Sequence, residues 1–261
     1  MSLPLSVTVI TLNEERNLER CLASVQALAA EIVVVDSGST DATQAIAERF
    51  GARFVFNAWP GNVAQNAYAT ALCTHPWVLS LDADEALTPE LAAEIRHVLT
   101  EGFEGVDGFM LTRRTQYLGA WMWHVWYPER RLRLVRRDAA RWVGPDPHGR
   151  VEVAGRTQRL KHDFLHYTYR DLDDQYRKLL SYAHSSARER YAQGKRMSPV
   201  KLLLSPWFRF LRDLILKGAW RDGWRGVLIA WAGAFSSFLK QAYLYELEHE
   251  AQRHDAPHQR K

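Results

Sequence analysis

The sequence predicts a doubly wound α/β domain that continues into a C-terminal helical extension. Two observations carry this reading. Strand-like and helix-like hydrophobic patterns alternate over residues 5–100, the signature of parallel strands connected by helices. After residue 170 the periodicity is helical and the charge turns strongly basic. A third feature points to function: each of three predicted strands runs into a polar cluster.

The elements follow in order. Ser6–Ile10 reads as a buried strand ending near Thr11, and Leu18, Leu22 and Val25 recur at helical spacing within 15–28. Ile32–Val35 is a β-branched run of the kind buried on both faces of a parallel sheet. It stops at the turn-forming cluster Asp36-Ser37-Gly38-Ser39-Thr40-Asp41. A helix over 42–50 with Gly51 as its C-cap, a strand at 53–56, a helix at 63–73 and a strand at 77–81 complete the alternation. Thr88-Pro89-Glu90 starts another helix, with a capping hydroxyl, a first-position proline and an early carboxylate. Beyond residue 105, short strands are expected at 108–114, 131–136 and 150–153, around an aromatic loop at 117–128. Helices are expected at 171–193 and between 199 and 249. The chain thus divides into a domain over 1–170, with halves 1–100 and 101–170, an extension over 171–250, and a polar, disordered tail at 251–261.

At 261 residues, 47% hydrophobic and 25% charged, the composition is globular and sufficient for one core plus an appendage. Two cysteines, Cys21 and Cys73, form neither a disulfide framework nor a zinc pattern. With no signal-peptide layout and no apolar run of about 20 residues, a cytoplasmic protein is expected.

In open α/β sheets, ligands bind beyond the carboxyl ends of the strands. Here those ends carry Thr11/Asn13/Glu14, then 36–41, then Asp82-Ala83-Asp84-Glu85. Two carboxylates one residue apart after a buried strand suit a hard, partly hydrated cation that also binds phosphate. Such a cation neutralises charge on a departing diphosphate. A solvated acidic turn is the bland alternative.

The series Thr8-Val9-Ile10-Thr11-Leu12-Asn13-Glu14-Glu15, Val33-Val34-Val35-Asp36-Ser37-Gly38-Ser39-Thr40-Asp41 and Leu81-Asp82-Ala83-Asp84-Glu85 resembles family 2 glycosyltransferases of the GT-A fold. The pairing of Asp-Ser-Gly-Ser-Thr-Asp with Asp-Ala-Asp-Glu resembles the branch containing lipopolysaccharide inner-core β-glucosyltransferases. The resemblance is dense over 5–100 and looser to about 245. It implies a Rossmann-like mixed sheet flanked by helices, a UDP-sugar donor, and Mg²⁺ or Mn²⁺. It also implies that Thr11, Asn13 and Glu14 lie beside the nucleotide, Asp36 near the uracil or ribose, and Asp82 near ribose and metal. Asp84 is then the direct metal ligand. Gln65 and Asn66 match a polar position near the donor, with an exposed helix face as the alternative. His166 matches a histidine near the metal, against a core histidine as the bland reading. Ser37 departs from the pattern, standing where many members have a second aspartate.

Such enzymes invert the anomeric centre by direct displacement, so a base must deprotonate the acceptor hydroxyl. Candidates are Asp146, His148 and Glu152, with His148-Gly149 replacing the His-Glu of related members. A purely structural Pro-Asp-Pro-His corner is the alternative. Arg113, Arg114, Arg130, Arg131 and Arg133 are either solvated or clamps for a diphosphate or anionic acceptor. The aromatic loop is either an acceptor wall or packing.

Residues 195–241 hold nine Lys/Arg against two Asp and four of the ten Trp, so this stretch is +7 in a chain of +4. Residues 206–217 place Phe208, Leu211 and Ile215 on one helical face with most cations elsewhere. Cationic, Trp-rich amphipathic helices lie in the plane of anionic membranes. A lipid-linked glycan acceptor and a peripheral position on the inner face of the cytoplasmic membrane are therefore expected; a helical pair packing on the domain, or a dimer interface, is the alternative. Nucleic acid is not an expected partner, because the aromatics form no strand-based stacking platform. No pattern specifies an oligomeric state. A sugar-nucleotide pyrophosphorylase would need a Gly-rich basic loop after the first strand, which 11–15 lacks. A purely membrane-binding module leaves the three polar strand ends unexplained.

Overall fold

Strand β1 (Leu5–Thr11) pairs in parallel with both β2 (Glu31–Asp36) and β4 (Trp77–Asp82), and β2 pairs in parallel with β3 (Arg53–Phe56). The register sets Thr11 opposite Asp36 and Ile10 opposite Asp82, so the three polar strand ends lie side by side. The computed structural model describes residues 3–102, 104–146 and 149–255, with side chains to 250. The chain folds as two units, 1–115 with 128–168 and 116–127 with 169–261.

With β5 (Glu85–Leu87), β6 (Val106–Tyr117), β8 (Glu129–Arg136) and β11 (Arg156–His166), the sheet runs β3-β2-β1-β4-β8-β6-β11-β5, and a short β7 (Ala120–Trp121) pairs with the end of β6. Beyond the parallel strands, β8 is antiparallel to β4 and to β6. Strand β11 is parallel to β6 and antiparallel to β5. The sheet is therefore mixed and flanked by helices, the α/β class expected.

Alternation along the strands sends side chains to two layers. Val7, Val9, Val34, Leu79 and Leu81 pack with α1 (Leu18–Val25), α2 (Thr43–Arg49) and α4 (Pro89–Glu101). Val33, Val35, Val78 and Val135 pack on the other face with α3 (Asn62–Ala71) and a separate hairpin of β9 (Ala140–Val143) and β10 (Arg150–Val153). Helix α4 starts as its sequence specifies, with Thr88 Oγ1 accepting from the Leu91 amide and Pro89 in the first turn. Gly51 follows α2 at φ 70°, the left-handed geometry glycine tolerates.

The second unit contains α5 (Leu172–Ala192), α6 (Pro199–Leu211), a π-turn at Arg212–Leu216, a 3₁₀ turn at Ala219–Asp222 and α7 (Gly223–Asp255). Asp171 and Ser198 cap α5 and α6. The sequence grouping placed residues 116–127 with the acceptor half; they pack instead in this unit. Tyr117, Met122 and Val125 share its core with Ala219 and Ile229, and Tyr117 donates to Gln175 at 2.6 Å. Asp222 accepts the amides of Trp123, His124 and Val125 at 3.0–3.2 Å. Packing is thus what most of the aromatic loop does, although Trp123 stays half exposed.

Candidate active site

At the end of β1, Thr11 donates to Asp36 Oδ2 at 2.8 Å. The Asp36 carboxylate also accepts from the amides of Gly38 and Ser39 at 2.7 Å and from Ser39 Oγ at 2.5 Å. Burial raises this carboxyl, but the hydrogen bonds from Ser39, Thr11 and Gly38 outweigh it and leave it below its ordinary value. Asn13 takes φ 56°, a region Asn tolerates better than most residues, and its Oδ1 accepts from the Thr40 amide at 2.9 Å. The Glu14 amide donates to Thr43 Oγ1 at 2.8 Å. Asp41 accepts from the amides of Thr43 and Glu15 at 3.0 and 3.1 Å, holding the start of α2 to the loop after β1.

Gln65 and Asn66 are buried rather than on an exposed helix face. Gln65 Nε2 donates to Ser37 Oγ at 3.1 Å and its Oε1 accepts from Asn57 at 2.7 Å. Asn66 Oδ1 accepts from Ser80 Oγ of β4 at 3.4 Å. Amide and hydroxyl groups thus fill the region around the Ser37 departure.

The third strand end is organised by a buried residue. Glu85 is fully buried; its carboxylate accepts from the Asp82 amide at 3.0 Å, from Arg133 at 2.6 Å and from Arg113 at 3.3 Å. Arg133 also donates to Asp82 Oδ2 at 2.7 Å. Burial raises the Asp82 carboxyl, but Arg133, with Arg113 and His166 behind it, holds it down at about 2. Glu85 moves the other way: burial pushes it up, Asp82 adds to the rise, and the two arginines only partly oppose it.

Asp84 turns its Oδ2 toward His166 Nε2 at 3.4 Å, and its carbonyl accepts from the Tyr167 amide at 2.9 Å. His166 Nδ1 lies 3.3 Å from Thr115 Oγ1. The tautomer that donates Nδ1–H to Thr115 leaves the Nε2 lone pair beside Asp84, the arrangement a metal-ligating imidazole needs. Among the described residues no group of three or more His, Cys, Asp and Glu gathers as a metal cage. One carboxylate and one imidazole with open positions nevertheless fit a cation that takes its remaining ligands from phosphate and water.

A cavity of about 490 Å³ adjoins Asp82, lined by Asn66, Arg113, Arg133, Trp142, Arg150 and Glu152 among others. Of the base candidates, Glu152 lines this cavity, paired with Arg150 at 2.6 Å. Asp146 instead accepts from the Val63 amide at 3.0 Å, at the N-terminus of α3. His148 lies outside the described residues. Sequence reasoning gave Glu85 no role of its own within the third polar cluster and grouped Arg133 with arginines that are either solvated or clamps for a diphosphate or anionic acceptor. A glutamate directly after a metal-type motif and an arginine between two leucines of a strand were the available signals.

A model of glycosyl transferase family 2 matches residues 6–151. The chain is similar to the lipopolysaccharide core biosynthesis glycosyltransferase LpsC of Rhizobium meliloti (strain 1021), 36% identical over 94% of this chain and 93% of that one. It is also similar to an uncharacterized glycosyltransferase of Rickettsia typhi (strain ATCC VR-144 / Wilmington), 28% identical over 93% of this chain and 87% of that one. Among solved structures, glucosyl-3-phosphoglycerate synthase from Mycobacterium tuberculosis, in complex with Mn²⁺, UDP and glucosyl-3-phosphoglycerate, is 28% identical over 44% of each chain. Its TM-score is 0.36, a partial likeness.

Proposed function

The chain belongs to glycosyl transferase family 2, and on that premise we propose an inverting transferase that moves glucose from UDP-glucose to a lipid-linked glycan of the lipopolysaccharide core or a related envelope glycan. The observation that carries this reading is the convergence of the Thr11–Asp36 pair, Gln65/Asn66 and Asp82–Asp84–His166 at adjacent strand ends. A relative named for lipopolysaccharide core biosynthesis, similar over nearly the whole chain, supports the acceptor class.

In this reading Thr11, Asn13 and Asp36 hold the nucleoside, and Gln65 and Asn66 shape the floor beneath the donor. Asp84 and His166 would hold Mg²⁺ or Mn²⁺, which when bound supplies positive charge against the departing diphosphate. Arg133 keeps Asp82 ionised at neutral pH and fixes its orientation. Glu152, facing the cavity, takes the acceptor hydroxyl proton as the oxygen attacks the anomeric carbon and the bond to the diphosphate breaks.

The second unit supports a peripheral position on the inner membrane face. Val200, Leu203, Leu204, Trp207, Phe208 and Leu211 form an exposed stripe at helical spacing on α6, continued by Ile215 and Leu216. Asp213 is buried against Arg209, Arg212 and Lys217, and the side chains of Lys201, Lys217 and Arg221 are exposed. Among the described residues no helix is long and apolar enough to cross a membrane, so the contact is in-plane. Leu203→Asp with Phe208→Asp abolishes co-sedimentation with phosphatidylglycerol vesicles in this reading; unchanged sedimentation contradicts it.

The test of transfer is a screen of nucleotide sugars for divalent-cation-dependent release of the nucleoside diphosphate. Release of UDP from UDP-glucose with inversion at the transferred carbon supports the proposal. Conversion of UDP-glucose to UTP and glucose 1-phosphate when inorganic pyrophosphate is supplied, or no turnover of any sugar nucleotide with any glycan acceptor, refutes it.

A further inference from the structure

The cavity beside Asp82 has a character that donor binding does not account for. Of the groups assigned to the donor, only Asn66 and Asp82 reach it; Thr11, Asp36 and Gln65 do not line it. Its walls come from β6, β8, the β9–β10 hairpin and the start of α3. Two kinds of surface meet there. Met110, Leu132, Val151, Val153 and the indole of Trp142 form an apolar floor, with Trp142 fixed by its Nε1 hydrogen bond to Thr70 at 3.0 Å. Facing it are five guanidinium groups, those of Arg113, Arg130, Arg131, Arg133 and Arg150.

The charges around these arginines do not balance. Arg113 pairs with Glu85 and Glu129, Arg133 with Asp82 and Glu85, Arg131 with Glu129, and Arg150 with Glu152. Those are four carboxylates in all, and two of them, Glu85 and Glu129, do not line the cavity. Arg130 has no partner among the described residues and is exposed at the rim. Clustered guanidinium groups present forks of N–H donors that match phosphate or carboxylate. An apolar and aromatic floor suits the C–H face of a sugar ring, and a few fixed polar groups orient the ligand above it.

We propose that this cavity is the acceptor subsite and that it takes an anionic sugar, one bearing a phosphate or a carboxylate, whose charge is met by Arg130 and Arg150. The inference rests on the transferase reading for the word acceptor, while the selectivity for an anionic sugar rests on the cavity alone. With the ring on the Trp142 floor, the sugar's hydroxyls face Asp82 and Glu152, so the subsite leads directly to the reacting end of the donor. Arg130 and Arg150 then act on acceptor affinity and leave donor affinity unchanged.

The test uses the full chain and titration calorimetry, with glucose, glucose 6-phosphate, glucuronate and inorganic phosphate as probes, and UDP-glucose with Mn²⁺ measured in parallel. The double substitution Arg130→Gln/Arg150→Gln changes two exposed side chains, and circular dichroism verifies that it is folded. The expected result is that the two anionic sugars bind at least about tenfold more tightly than glucose, and more tightly than inorganic phosphate. The double variant then loses about tenfold or more of that affinity, the scale of one or two charge-assisted hydrogen bonds, with UDP-glucose affinity changed less than twofold. Equal binding of glucose and glucose 6-phosphate overturns the proposal, as does a double variant that binds both anionic sugars as the parent does. A parallel loss of UDP-glucose affinity overturns it too, by giving the arginines to the donor diphosphate. If the wild type binds the anionic sugars but no nucleotide sugar, the anionic site stands and the transferase reading fails.

Discussion

Replacing Glu85 tests the polar core that orders the third strand end. Its carboxylate is fully buried and accepts from the Asp82 amide, Arg133 and Arg113. Glu85→Gln keeps the volume and one acceptor oxygen but removes the charge. Arg133 would retain Asp82 and Arg113 would retain Glu129, so neither guanidinium is left without a carboxylate. Burial already holds the Glu85 carboxyl above its ordinary value, so losing the charge offsets part of the roughly 3–5 kcal/mol that breaking a buried pair costs, and the acceptor lost to the arginines leaves Glu85→Gln about 1–2 kcal/mol less stable. Glu85→Leu also strands the Asp82 amide, adding about 1–3 kcal/mol. Domains of ordinary size are stable by about 5–15 kcal/mol, so the Gln variant folds and the Leu variant approaches the limit. Urea unfolding followed by tryptophan fluorescence should show a midpoint lowered by about 0.5–1 M for Glu85→Gln, given slopes of about 1–3 kcal/mol per molar. Glu129→Gln, at a part-exposed carboxylate, should move it far less. If Glu85→Gln and Glu129→Gln shift the midpoint equally, or neither shifts it, the network does not hold the site as described.

Four further outcomes follow from the same geometry. Asp36 and Asp82 are both held below the ordinary carboxylate value of 3.8, Asp82 at about 2. The contribution of each is fully present above 3.8 and is lost as pH falls through its lowered value, about 2 for Asp82, so acid titration of wild type should show a stability loss below 3.8 that Asp36→Asn diminishes. Glu85 has the opposite sign: raised above 4.5, it makes the fold less stable as pH rises from that value, and Glu85→Gln should abolish that component. Asp146→Ala should cost about 1 kcal/mol through the lost contact at the start of α3. With a glycan acceptor, Glu152→Gln should lower kcat by about a hundredfold or more while Asp146→Ala lowers it severalfold at most, and the reverse order would return the base to Asp146.

The parallel half of the fold was legible because its signals are local. Val33, Val34 and Val35 are apolar without alternation since both faces of β2 are covered, and each run stops where polar residues enter the crevice. Strand β11 was visible only near His166. Its first four residues, Arg156–Arg159, are exposed, and their pairing is imposed by β6 from fifty positions away in sequence. The site divides in the same way. Thr11, Asp36, Asp82 and Asp84 are readable from strand ends, but the burial of Arg133 depends on Glu85, 48 residues distant. Asp146 at the start of α3 is an equally distant pairing, 83 residues from Val63. A rigid Pro-Asp-Pro corner could not be told apart from a catalytic one by composition. The aromatic loop behaves likewise, since its place in the second unit is set by Asp222, about a hundred residues later.

In the proposed reaction Asp84, with His166 beside it, joins a divalent cation to the diphosphate of a nucleotide sugar. The most direct test of this role is calorimetric binding of UDP-glucose to wild type and to Asp84→Asn, each with and without Mn²⁺. Mn²⁺ should tighten binding to wild type by at least about tenfold, Asp84→Asn should lose this enhancement, and the metal-free affinities of the two proteins should agree. Binding to wild type that is indifferent to Mn²⁺, or an enhancement that survives in Asp84→Asn, would contradict it.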